Sequence, residues 1–394
     1  MVNDAAVQRS VVACVGCDEY PRSAEAIREA LRLLGRDGVF RSKRVLLKVN
    51  LMKGAPPEQA INTNPEFVGA LVRVVKEQGG EALVADSTGV LGCTDEAFEA
   101  SGIADAVRRE GGKLINFDAC ELTRVPIDGK VLREAWVPKI LFDADLVVTV
   151  PKLKTHTIMT MTCALKNQIG VLPGGHKCRL HELAPTPRKL AHAILDLHSV
   201  LPVRMAIVDA IVGLSGQGMR RAAVPRKVGV VVAGEDLLAV DCVCGQLIGI
   251  ASHTILTCRL GQKRGFGAGD FSRIEIREPA GANLFAGAPV RFDKPGFEPK
   301  RIGLFARYFY KIRGRSVKPH LDASRCEKCG RCAKGCPARA IAMSPLPVIG
   351  RNCTRCYRCH ENCPQGAMGL RCHPLLRRSF RKRAANMDIR KLFS

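Results

Sequence analysis

Eight cysteines near the C-terminus stand in two copies of one pattern, Cys-x2-Cys-x2-Cys-x3-Cys-Pro. The first copy is Cys326, Cys329, Cys332, Cys336 and Pro337, and the second is Cys353, Cys356, Cys359, Cys363 and Pro364. A cubic [4Fe-4S] cluster takes four thiolates, of which a tight loop supplies three while the fourth crosses over from the other run. The spacing therefore predicts two [4Fe-4S] clusters. One is held by Cys326, Cys329 and Cys332 with Cys363, the other by Cys353, Cys356 and Cys359 with Cys336. Structural zinc also uses Cys-x2-Cys pairs, but two full four-cysteine runs, each closed by proline, favour iron-sulfur chemistry.

A second constellation lies mid-chain, where Pro151-Lys-Leu-Lys-Thr-His156 follows the apolar run Leu146 to Val150. Lys152, Lys154, Lys166 and Lys177, with His156 and His181, would surround one cleft with cationic groups if their loops converge. Lysine offers a point charge to phosphate or carboxylate, and histidine passes protons near neutral pH. An anionic small molecule is the expected ligand. Asn167 is expected on a helix capped by Thr162, whose N-terminus would add backbone donors, and Asp209 ends a further apolar run in the same cleft. A solvated basic loop is the plainer alternative. A metal held by His176, Cys178 and His181 competes with the anion, although the spacing matches no standard zinc motif. Cys14-x2-Cys17 reads as packing and a turn in preference to a redox pair.

The elements that must position these residues alternate between strands and amphipathic helices, which argues for an α/β layer fold with a largely parallel sheet, followed by a small ferredoxin-like α+β domain. Strands are predicted at Val11 to Val15, Arg44 to Val49, Ala82 to Ala85, Lys113 to Phe117, Leu146 to Val150, Val203 to Val208 and Val228 to Ala233. Helices are predicted at Ala24 to Leu34, Pro65 to Gln78, Asp95 to Arg109, Pro187 to Leu197 and Leu238 to Ile248, with a hairpin turning at Asp128-Gly129. Polar residues gather just past strand ends, where an open α/β sheet places its ligands. They include Asn50, Asp86, Ser87, Thr88 and Asp209, with Asp241 near the start of the last helix. Helix capping accounts equally well for Asp86, Ser87 and Asp241.

The stretch Val150-Pro-Lys-Leu-Lys-Thr-His156, with Met161-Thr162, Ala164-Leu-Lys-Asn167, Gly170, Pro173-Gly174, Lys177 and His181, resembles the bacterial and archaeal family named domain of unknown function 362. Leu47-Lys48-Val49-Asn50-Leu51, Asp86-Ser87, Val208-Asp209 with Gly213, and Val240-Asp241 extend the resemblance over roughly residues 10 to 265. It implies an α/β domain and, in many members, a C-terminal domain with two [4Fe-4S] clusters. Two departures are Lys48-Val49-Asn50 in place of Lys-Pro-Asn, and Gly216-Gln-Gly-Met-Arg-Arg221 in place of a Gly-Pro-rich turn. The resemblance implies architecture and leaves the chemistry open.

At 394 residues and 46% hydrophobic content the chain can bury a sizeable core. The expected organisation is an α/β domain over 1–270, a linker over 271–319, the ferredoxin-like domain over 320–372 and a basic tail over 373–394. The net charge of +24 is concentrated late: residues 300 to 394 hold 23 Lys and Arg against 4 Asp and Glu. Such a field attracts an acidic electron-transfer partner of flavodoxin or ferredoxin type and tolerates peripheral contact with an acidic membrane. No run approaches the roughly 20 apolar residues of a membrane span, and Met1 to Ser10 lacks a signal-peptide order, so a cytoplasmic address is expected. The aromatic and basic run Arg307 to Arg315 suits base stacking or simple packing. The first functional reading is an iron-sulfur protein passing single electrons to or from an anion site in the α/β domain. The second is a non-catalytic carrier or binding module, and nucleic-acid binding ranks third.

Overall fold

The apolar runs assemble into one large sheet in a computed structural model that describes residues 9–89, 93–216, 223–293 and 317–371. In chain order the strands of the first domain are β1 Ser10–Gly16, β2 Arg44–Lys48, β3 Glu81–Asp86, β4 Lys113–Asn116, β5 Leu122–Pro126, β6 Glu134–Pro138, β7 Leu146–Thr149, β8 Lys152–His156, β9 Thr160–Thr162, β10 Val203–Ser215, β11 Val224–Gly234 and β12 Ile274–Arg277. Across the sheet the order is β12-β1-β11-β10-β7-β2-β3-β4, with β8 and then β9 attached to β10. From β10 through β4 the neighbours run parallel, and β11 is antiparallel to both β1 and β10. Leu46, Leu83 and Val147 feed one apolar cluster, while Val45, Leu47, Val84 and Val148 feed another on the opposite face. A parallel strand covered on both faces can be apolar throughout, which is why these runs show no alternation.

Helices cover both faces. Pro65–Glu77 and Pro187–His198 each start on a proline, behind Asn64 and Thr186, whose side chains accept backbone N–H groups. The helix expected over Asp95 to Arg109 is two helices, Thr94–Ala100 and Ile103–Arg109, because Gly102 takes a left-handed φ of 76° between them. The hairpin is present as β5 and β6, but its last pair is Pro126 with Glu134, so the connection is longer than a two-residue turn. Buried Asp196 holds that wide loop open by accepting the N–H groups of Lys130, Val131 and Leu132.

Two further departures bear on the site. The segment after Val150, expected as a loop, is strand β8. Pro151 has no N–H to continue the β7 ladder, and the chain resumes beside the outer half of β10, pairing Lys152 with Asp209 and Lys154 with Leu214. The four-residue helix Ala164–Asn167 is capped by Asp241, whose carboxylate accepts Ala164 N and Leu165 N, so Thr162 is not its cap.

The sheet also continues past residue 270. Strand β12 pairs with β1, Phe292 packs against Gly213, and Asp293 bonds Ser215, so residues 274–293 are built into the α/β domain. The run 307–315, the turn residues 217–221 and the tail 373–394 lie outside the described residues.

In the C-terminal domain β13 Lys318–Leu321 pairs antiparallel with β16 Met368–Arg371, and β14 Ile341–Ser344 with β15 Leu346–Ile349. Short helices Arg331–Lys334 and Arg358–Glu361 carry the third cysteine of each run. No described helix is long and apolar enough to cross a membrane.

Candidate functional site

Successive residues of a strand face opposite ways, so Lys152, Lys154 and His156 share one face of β8. Lys152 Nζ lies 2.8 Å from Asp209 Oδ2 and 2.8 Å from the Tyr20 hydroxyl, and Asp209 also accepts Asn64 N. Lys154 Nζ donates to Asn50 Oδ1 and to the Ile61 carbonyl. At the neighbouring strand ends Lys48 Nζ sits 2.7 Å from Asp86 Oδ1, and Asp86 accepts the N–H groups of Leu51 and Ser87. Gly170 closes over this pair: a Cβ there would lie 2.3 Å from Lys48 Nζ and 2.4 Å from Asp86 Oδ1. Lys177 donates to Ser87 O, Ser87 Oγ and Thr88 O.

Burial weakens these cations. Lys154 is pushed down to about 7 by desolvation, with repulsion from Lys166, Lys152 and Lys48 added to it. Lys166 falls to about 8 through desolvation and the nearby Lys48. Lys48, Lys152 and Lys177 are lowered by desolvation too, against the pull of Asp86, Asp209 and Asp118 respectively. His156 is held well below its ordinary value by desolvation and by Lys166, His181 and Lys154. Its Nδ1 accepts the N–H groups of Ile158 and Met159, which leaves the ring proton on Nε2 and makes His156 the anchor of the β8–β9 turn.

Among the expected site residues, then, Lys152 and Asp209 satisfy each other. Asn167 is a clamp: its Oδ1 accepts Lys48 Nζ, and its Nδ2 donates to Lys48 O, Val49 O and Thr149 Oγ1. Lys166 is different, being partly exposed with no hydrogen-bond or ion-pair partner among the described residues. His181 and Lys154 lie within electrostatic reach of His156, as does Lys166. His176 and His181 are five residues apart on the helix His176–Leu183, hence on different faces. Among the described residues no three His, Cys, Asp or Glu side chains are grouped to hold a single metal ion. Sequence reasoning left Lys48 and Tyr20 out of the site and weighed Asp86 equally as a helix cap. The available signal was a lysine and an aspartate closing two otherwise apolar strands. Cys14 and Cys17 are buried with raised thiol pKa values, as packing residues would be.

The structure brings cysteines of the two runs near one another. One cavity is lined by Cys326, Cys329, Cys332 and Cys363, three from the first run and the last from the second. Cys336 lies within electrostatic reach of Cys356 and Cys359, and Cys332 of the first run lies within reach of Cys359 as well. Cys326, Cys329, Cys332 and Cys363 thus offer the four thiolates that a cluster needs around one cavity. The second run also docks onto the α/β domain. Gly175 N donates to Arg355 O, Arg358 and Asn362 donate to Ala119 O, and Asn116 donates to Glu361. Gly174, at a φ of 45°, lets Cys356 and Tyr357 approach; a Cβ would meet Cys356 O and Tyr357 Cδ2 at 2.6 Å. Its N–H donates to Asp118, whose other oxygen accepts Thr94 Oγ1.

Comparison with known proteins agrees with this architecture. Residues 318–366 match a 4Fe-4S dicluster domain, so the C-terminal domain is an iron-sulfur domain of the [4Fe-4S] kind. The thylakoid-associated protein sll1697 of Synechocystis sp. is 30% identical over 250 residues, covering 61% of this chain and 74% of that protein. Among solved structures, the lactate racemase apoprotein of Thermoanaerobacterium thermosaccharolyticum superposes at a TM-score of 0.36 with 11% identity, over 58% of this chain and 56% of the other. A Thermotoga maritima protein gives a TM-score of 0.38 with 16% identity, over 58% and 59%. The chain thus spans under two thirds of either structure, and overlaps this loose carry no functional argument. Residues 45–246 match the model described as Domain of unknown function (DUF362), and the chain belongs to that family.

Proposed function

We propose that this chain is an iron-sulfur redox protein in which two [4Fe-4S] clusters pass single electrons to or from an anionic small molecule held in the α/β domain. Lys166 is the principal contact in this reading, with Lys154, His156 and His181 beside it. The observation that carries it is the loop from Gly174 to Lys177. One end packs on Cys356 and Tyr357 of a cluster loop, and the other sends Lys177 to Ser87, next to the Asp86–Lys48 pair. A cluster-binding loop and the buried Lys48–Asp86 pair are thus joined through four residues, and Lys48 lies within electrostatic reach of Lys166. The cofactor supplies one-electron chemistry when bound. The chain supplies cationic charge, a fixed His156 tautomer and a partly buried setting for Lys166, His156 and His181.

The test is anaerobic reduction of the full chain followed by exposure to a panel of carboxylate and phosphate metabolites, with cluster reoxidation read by absorbance. A metabolite that reoxidises the wild type but not Lys166→Ala supports the reading. Reoxidation that ignores Lys166 would leave the second reading, a carrier whose α/β domain only binds. The saturation of Lys48 and Lys152 by Asp86 and Asp209 already favours that alternative over a site using all the lysines. The cytoplasm suits either reading, because free thiols persist there. The excess of basic residues after position 300 and the thylakoid-associated relative support peripheral contact with an acidic membrane surface.

A further inference from the structure

The two cysteine runs are repeats, and their shared backbone makes their differences informative. Lys328 and Arg355 occupy equivalent positions with φ of 58° and 59°, and Gly330 and Tyr357 do so with φ of 70° and 63°. A left-handed φ suits glycine and is uncommon for a bulky residue. In the first run the glycine has been kept, and nothing would touch a side chain there within 4 Å. In the second run a tyrosine accepts the strained backbone, buries its ring against Gly174 and Gly175, and donates its hydroxyl to Val317 O at 3.0 Å. The hydrogen bonds that join the domains through Ala119, Asn116 and Gly175 all reach residues between Arg355 and Asn362.

Exposure follows the same division. Cys329 is exposed and Cys356 is buried. Around the first run Arg325, Lys328, Arg331, Lys334 and Arg339 are exposed, with Glu327 the only acid among residues 323 to 340, whereas Arg355 and Arg358 of the second run are half-covered.

We propose that the first run is an electron port for a small acidic one-electron carrier protein, and that the second run is the internal relay facing the α/β domain. The inference rests on the redox reading above. With clusters bound, Cys326, Cys329, Cys332 and Cys363 would hold the one that takes the single electron the carrier gives up, and Cys353, Cys356, Cys359 and Cys336 would hold the one that passes it inward, with no bond or proton changing hands. Charge complementarity selects the partner: five exposed cations steer an acidic face onto a loop that, among the described residues, makes none of the hydrogen bonds joining the two domains.

The experiment mixes the full, anaerobically reconstituted chain with a reduced acidic plant-type ferredoxin in a stopped-flow instrument and follows cluster bleaching. The port variant is Lys328→Glu with Arg331→Glu and Lys334→Glu. The control moves equal charge elsewhere, using exposed Arg188→Glu, Lys189→Glu and Arg204→Glu. The wild-type second-order rate falls steeply with ionic strength. The port variant is at least tenfold slower at low salt with a flattened salt dependence, while iron content is unchanged and the control stays within threefold of wild type. Equal rates for port variant and control overturn the port and leave the redox reading standing. Clusters that neither this carrier nor dithionite can reduce overturn both.

Discussion

Lys48 Nζ and Asp86 Oδ1 meet at 2.7 Å across the carboxyl ends of neighbouring parallel strands, with the two side chains only 2% and 1% exposed. Removing one partner of a buried pair strands the other charge, which costs about 3–5 kcal/mol, whereas removing both costs much less. Lys48→Met should therefore destabilise the chain by about that amount, and adding Asp86→Asn should recover part of the loss. Chemical denaturation of the two single variants and the double variant gives the coupling. Strictly additive losses would mean that the two residues act independently.

Lys154 makes stability depend on pH. Its folded value of about 7 lies below the ordinary 10.5 of a lysine, so between those values the unfolded chain binds more protons than the folded one. Stability attributable to Lys154 must then rise with pH from about 7 to about 10.4, and be absent below that window. Lys154→Met removes the rise. Denaturation midpoints recorded across the window check it, and a slope identical in the variant would assign the effect to other groups, with Lys166 at about 8 the first to examine.

These residues mark the limit of what the sequence discloses. The apolar runs of β2, β3 and β7 were legible because a strand buried on both faces leaves an unbroken apolar signature. The cluster cysteines were legible because one short loop supplies three ligands and spacing alone encodes it. Lys152 was visible as a charge, but its neutralisation by Asp209 needed the pairing of β8 with β10, 57 residues apart. The charged residues after the apolar run read as a loop, and the outer half of β10 overrode that by offering an edge to pair with. The docking of Tyr357 on Gly174 depends on the approach of two domains, which no local pattern records.

Cluster pairing is tested by removing the crossover thiols. The wild type should hold about eight iron and eight sulfide after anaerobic reconstitution, and Cys336→Ala and Cys363→Ala should each retain about half. Cys336→Ala should lose the cluster of Cys353, Cys356 and Cys359, because the spacing sends the last cysteine of each run across to the other. Cys363→Ala should lose the other, whose cavity Cys363 lines. Combining each with Cys329→Ser, and counting iron, separates the assignments. Cys363→Ala with Cys329→Ser keeps four iron if the pairing is right and falls towards none if it is reversed.

Tyr357→Gly tests whether the strained tyrosine serves docking. Returning glycine at a φ of 63° relieves about 1–2 kcal/mol of backbone strain. Losing a buried aromatic ring costs about 3–5 kcal/mol, and here the hydrogen bond to Val317 goes with it. The net loss of about 1–4 kcal/mol falls on the contact between the domains, because Gly174 and Gly175 form the surface under the ring. Amide hydrogen exchange at residues 170–178 should therefore accelerate by roughly 5- to 900-fold. Iron content should hold, since the four thiols of that cluster are untouched. Gly174→Val reaches the same contact from the other side, placing a side chain where Cys356 O is 2.6 Å away, and should accelerate the same amides. Exchange unchanged in both variants would mean that the ferredoxin-like domain is held by Arg358 and Asn362 on Ala119, and that Tyr357 carries its strain for another purpose.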